Sequence, residues 1–207
     1  MKMCDCHKHD HGHSHETVDE SETFNLFLKI NTEQLQCLNE AVEGSCKKVF
    51  KPWDERLDQS KFVESDLDPE LLINVPFTGI IKLKSVALLG GEDGSHPKML
   101  KLFKNIPNMS LDQTEKASDQ TFELPPHTYT DVFRFPVRIA RFSNVHHLSL
   151  YIPSNYGSDS TKIYYIGLAG DYMQAQQQEV LVTNYELAAN PADHVNKLYD
   201  TSSHIIS

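Results

Sequence analysis

The sequence predicts an all-β sandwich, and three observations carry that reading. Seven or eight short strand-like runs follow one another from about residue 70 onward. Clusters of Gly and Pro punctuate them. No helix-period segments alternate with them, which excludes a doubly wound α/β arrangement. A chain of 207 residues suits one such domain with tails. The most distinctive stretch, residues 141–170 (RFSNVHHLSLYIPSNYGSDSTKIYYIGLAG), is two apolar, aromatic strand runs around a turn-rich break. It holds no nucleophile paired with a base and no phosphate loop, so a binding module is expected rather than an enzyme.

In chain order, residues 1–23 read as a disordered tail, because they have almost no apolar content to offset their ordering entropy. Residues 24–187 read as the globular body and residues 188–207 as a loosely docked C-terminal tail. Asn31 as a cap, Gln34 three residues on, and Leu35, Leu38 and Val42 on one face predict a short helix ended by Gly44. Strands are expected over 71–75, between Pro69 and Pro76, and over 80–89, broken by Gly90, Gly91 and Gly94. Further strands are expected over 99–103, over 132–140 with Pro136 marking an edge or bulge, and over 145–152, 162–168 and 179–185. The expected core includes Ile81, Leu83, Leu88, Leu102, Ile139, Leu148, Leu150, Ile163, Tyr165 and Ile166.

Charge and composition exclude several function classes. The formal net charge is −10, from 19 Lys and Arg against 29 Asp and Glu. Nucleic acid and anionic membrane surfaces need clustered cations, so neither is an expected partner. No apolar run approaches a membrane span. The opening residues are polar and show no secretory pattern. A monomer in the cytoplasm, and in the nucleus, with Cys4, Cys6, Cys37 and Cys46 reduced, is therefore expected.

The tail carries the densest ligand chemistry. Cys4, Cys6 and His7 are followed by His9, His11, His13 and His15, alternate positions that an extended chain wraps around zinc or nickel. The competing reading is a solvated tail with incidental affinity and no cofactor requirement. Cys37 and Cys46, separated by eight residues with no Cys-x-x-Cys motif, read as buried inert thiols. His146 and His147 sit on one predicted strand and so point to opposite faces, which prevents both from binding one metal. Ser143, Ser149 and Ser154 lie in no Gly-x-Ser-x-Gly elbow. Glu64, Asp66 and Asp68 alternate, but the calcium-loop glycine is missing, so they read as turn and surface charge. Trp53, the one tryptophan, reads either as a recognition anchor or as a plug at one end of the sandwich.

Several segments together resemble the PITH-domain family, the proteasome-interacting domain found at the C-terminal end of a thioredoxin-like protein and also as a stand-alone protein. They are LQCLNE at 35–40, VFKPWDER at 49–56, KFVESDLDPELLINVPFTG at 61–79, ARFSNVHHLSLYI at 140–152, TKIYYIGLAGD at 161–171 and NYELAANPADH at 184–194. They occur in order across most of residues 24–194, and the His-rich start resembles the stand-alone branch. The resemblance implies a jelly-roll sandwich, similar to galactose-binding-like and Doc-type domains, that acts as an interaction module without catalytic residues. It also implies the 26S proteasome as partner. The thioredoxin half has no counterpart ahead of residue 24.

Two binding readings follow. A protein partner would meet exposed loops or the C-terminal stretch, where His204, Ile205 and Ile206 insert into a groove or approach a partner's metal, or else fold back on the sandwich. A small ligand or glycan would instead need Trp53, Arg141, Asn144 and Asn155 to converge at one end.

Overall fold

The computed structural model describes residues 24–126 and 132–173. The organising element is one strand. Leu71–Gly90 (β3) runs for 20 residues through one continuous eight-stranded antiparallel network, and its two halves belong to two layers, here called the first and second sheet. Its first half pairs with Val145–Ile152 (β7) on one side and Gln36–Leu38 (β1) on the other. β7 continues the sheet to Met99–Lys104 (β4), and β4 to Gln120–Glu123 (β5). The second half of β3 pairs with Lys162–Met173 (β8) and with Phe133–Pro136 (β6), and β8 pairs with Val63–Glu64 (β2). The change of partner coincides with a register shift between Pro76 and Ile81. Pro76 has no N–H for the ladder. Gly79 lets the Tyr172 hydroxyl approach to where a Cβ would lie 2.8 Å away. Strands that bend between sheets at bulges are how sandwiches make their corners. The result is the expected all-β jelly-roll sandwich.

Between the sheets lies one core. Leu71, Ile73, Leu102, Leu148 and Leu150 come from the first sheet, and Ile81, Leu83, Val86, Leu88, Ile163 and Ile166 from the second. The alternate residues are buried too. Leu72, Phe103 and Tyr151 pack with Met109 on the far face of the first sheet. Ala87, Leu89, Tyr165 and Ala169 pack with Phe24 and Trp53 on the far face of the second. Burial on both faces explains why LLINV and VALL read as continuous apolar runs rather than clean alternation.

Most expected strands are present, with informative differences. The runs at 71–75 and 80–89 are one strand, because the Pro76 break is a bulge rather than a turn. The run at 132–140 is a strand only over Phe133–Pro136, an edge strand as Pro136 implied. Beyond it the chain turns, with Arg141 N donating to Arg138 O at 2.8 Å. Ile139 is consequently 43% exposed, and Phe142 takes the core position expected of it. The other nine expected core residues are buried.

The helix expected over 31–44 does not form. Asn31 and Gln34 do make their side-chain bond at 3.2 Å, but it closes a single turn. The segment then pairs as β1 with β3. Leu35 enters the main core while Leu38 packs on the opposite layer, and Val42 is 66% exposed. Ladder bonds to β3 outweigh a weak helical propensity. The strand expected over 179–185 and both tails lie outside the described residues.

Candidate functional site

The segment around β1, from Glu33 to Lys47, lines a cleft with Asn74, Pro76, Asn108 and His147. At its hinge Asn39 adopts the left-handed conformation with φ 67°. Its Nδ2 donates to Asp68 Oδ1 at 2.8 Å and to Glu70 O at 2.7 Å, and its Oδ1 accepts from Leu67 N at 3.2 Å. Asn tolerates this backbone region and here binds two loops together. Asn39→Ala should cost about 2–3 kcal/mol, from left-handed strain plus orphaned partners, measured by urea unfolding. Asn39→Gly should cost less, since only the hydrogen bonds are lost.

Glu40 follows, and its carboxylate organises the next turn. It accepts from Gly44 N at 2.6 Å, Ser45 Oγ at 3.0 Å and Cys46 N at 2.9 Å. Gly44, at φ 76°, opens the short 3-10 turn Ser45–Val49 instead of closing a helix. That turn carries Cys46 into the core beside Cys37 of β1. The two thiols and the Glu40 carboxylate place their ligand atoms within 4.8 Å of one another. The hydrogen bond with Cys46, then burial, then the nearby charges of Cys46 and Glu40 hold the Cys37 thiol far above its ordinary pKa. Sequence spacing gives no signal for this cluster, because Cys37 and Cys46 fall in no metal-ligand motif and meet only where the left-handed Asn39 and Gly44 fold the chain back.

The cleft encloses about 760 Å³. Glu33, Glu40 and Glu43 face Lys47 across it, so its rim is acidic. At its base Asn74 donates to Met109 O at 2.9 Å and accepts from Ser149 Oγ at 2.7 Å, which fixes a buried polar floor. His147 closes one side, opposite Pro76 on the β3–β7 ladder. Burial, with a smaller contribution from the His146 charge, lowers its pKa. His146 is exposed, so the two rings face apart as their strand positions required. Asn105 Oδ1 receives the backbone N–H of His146 at 2.9 Å.

The sequence model of the PITH domain matches residues 16–189. The chain belongs to the PITH-domain family. PITH domain-containing protein 1 of Homo sapiens is 52% identical over 184 residues, covering 89% of this chain and 87% of that protein. The protein of the same name from Dictyostelium discoideum is 36% identical over 191 residues, covering 92% and 94%. Among solved structures, CBM32-3 from a family 31 glycoside hydrolase of Clostridium perfringens is similar at TM-score 0.45 and 13% identity, over 69% of this chain and 95% of that one.

Within this PITH domain the four residues considered for a glycan site do not come together. Trp53 is 8% exposed and stacks on Phe24 at 4.8 Å, with Tyr165 edge-on at 6.0 Å. It is a core residue of the outer layer, not a surface anchor. Arg141 is exposed in the turn after β6 and donates to Asp119 O at 2.8 Å. That turn attaches at Leu83, where Leu83 N donates to Phe142 O, while Trp53 packs near Leu89. Six strand residues separate the two points, roughly 20 Å. Asn144 accepts at its backbone oxygen from Asn105 Nδ2 at 2.8 Å. Asn155 spends its amide within its own loop, on Ser158 O and Ser160 O, both at 2.9 Å.

The acidic run that begins at Glu64 in β2 serves turns and surface contacts, as expected. Asp68 Oδ1 accepts from Asn39 and from Glu70 N, and Glu64 accepts from Ser160 Oγ at 2.7 Å and pairs with Lys162 at 3.1 Å. The expected tail ligands Cys4, Cys6, His7, His9, His11, His13 and His15, and the C-terminal His204, Ile205 and Ile206, lie outside the described residues.

Proposed function

We propose that this PITH domain is a non-catalytic protein-interaction module whose partner is the proteasome, acting as an adaptor or regulator in the cytoplasm and nucleus. Membership of the family supports the module, and the resemblance to proteasome-interacting relatives supports the partner. The observation that carries most weight is the character of the cleft. Two of its central polar groups hold loops: Glu40 caps a turn and Asn74 ties a strand to a loop. Among the described residues that line it, no nucleophile is paired with a base. What remains for a partner is an acidic rim on a rigid sandwich, a surface suited to a basic segment of another protein.

Pull-down from cell lysate tests this with three chains: full length, one ending at Asp200, and one carrying Glu33→Lys and Glu43→Lys. Full-length chain should recover proteasome subunits, and the charge reversal should reduce recovery several-fold. Undiminished recovery by the chain ending at Asp200 would discard a role for His204, Ile205 and Ile206 while sparing the module. No recovery by any chain would discard the proteasome as partner.

A further inference from the structure

We propose that Cys37, Cys46 and Glu40 form a binding site for a thiophilic divalent cation of the zinc class, with one coordination position open to the cleft. Cys37 lies on β1, Cys46 in the turn Ser45–Val49 and Glu40 in the chain between them, and their donor atoms meet where that chain folds back. Two thiolates and a carboxylate are zinc-type donors, and three protein ligands with a fourth position free is the arrangement of an accessible zinc site. Their separation of at most 4.8 Å needs only a small inward adjustment to surround one ion.

The carboxylate is already oriented. A carboxylate offers about four acceptor positions. Gly44 N, Ser45 Oγ and Cys46 N take three of these on Glu40, so one remains. Those donors are the outer contacts that hold a ligand in place. Cys37 and Glu40 also line the cleft while Cys46 is buried behind them. An ion held there would sit at the cleft wall, its fourth position filled by water or by a side chain of a docked partner. Binding exchanges the two thiol protons for one dication. The site uses none of the tail's ligands and would take a single ion in a fixed geometry.

Cobalt(II) is the probe, because thiolate ligation gives a charge-transfer band that histidine ligation lacks. The tail thiols are removed first by Cys4→Ser and Cys6→Ser in the full-length chain, which is then reduced and stripped with chelator. Titration should raise a thiolate-to-cobalt band that saturates at one metal per chain and that zinc displaces. Adding Cys37→Ser and Cys46→Ser should abolish the band. Absence of the band in the first chain would overturn the site.

Cys46 is buried, and its replacement risks unfolding. Amide NMR of the first chain with zinc therefore gives an independent readout. Shifts centred on Cys37, Glu40 and Cys46 are expected, and shifts confined to residues 7–15 would overturn the proposal.

Discussion

Trp53→Ala is expected to destabilise the domain by about 3–5 kcal/mol, the usual range for deleting a buried tryptophan. The indole is the centre of the outer layer on the second sheet. It lies parallel to Phe24 and edge-on to Tyr165. Arg56 lies over its ring at 4.4 Å and Arg134 at 4.8 Å, and Arg134 also covers Phe24 at 5.0 Å. Truncation opens a void between Phe24 and the sheet, strips Arg56 of this aromatic surface and leaves Arg134 with Phe24 alone. Because Trp53 is the one tryptophan, unfolding of the variant is followed by circular dichroism in urea rather than by fluorescence. Tyr165→Phe is the contrasting case. Its hydroxyl is buried with no hydrogen-bond partner among the described residues. Removing it should be neutral or stabilise by up to about 1 kcal/mol. A Trp53→Ala cost below about 1 kcal/mol would mean the layer is not packed as described.

Leu148→Ala should cost about 2–5 kcal/mol. Leu148 is fully buried at the centre of β7, between Val75 of β3 and Lys104 of β4 in the ladder, with its side chain in the intersheet core. Neighbouring strands on both sides prevent β7 from collapsing into the space left. The cavity therefore stays open, which places the expected value above the bare transfer free energy of the lost methylenes. Ile139→Ala, at a position that looks equally apolar in sequence, should cost well under half as much, because Ile139 is 43% exposed.

The contrast between Leu148 and Ile139 shows what is legible in such a chain. Strand runs with apolar alternation announce themselves, since their packing partners are set by period and face. Residues 145–152 and 162–168 were readable for that reason. Ile139 was misplaced because a proline-terminated edge strand hands its core position to the next turn, where Phe142 supplies it. The segment 31–44 reads as a helix in sequence because its cap chemistry is real but local. β3 offers ladder bonds that no pattern within residues 31–44 reveals. Trp53 belongs to VFKPWDER, one of the segments that carry the family resemblance, and its place is in the fold's outer layer. The cleft was the least legible part. Cys37, Glu40 and Cys46 have no motif spacing; Gly44 reads in sequence as a helix terminator, and the left-handed Asn39 that acts with it is visible only once the backbone is known.

The central claim is that this domain works by docking, and sedimentation of labelled chain with purified proteasome tests it most directly. Full-length chain carrying a fluorophore at an exposed surface site is centrifuged alone and with excess proteasome. The account predicts that label moves into the fast boundary of the assembly and returns to the slow boundary when unlabelled chain competes. Label that stays at the rate of the free chain, at proteasome concentrations well above those in cells, would contradict it.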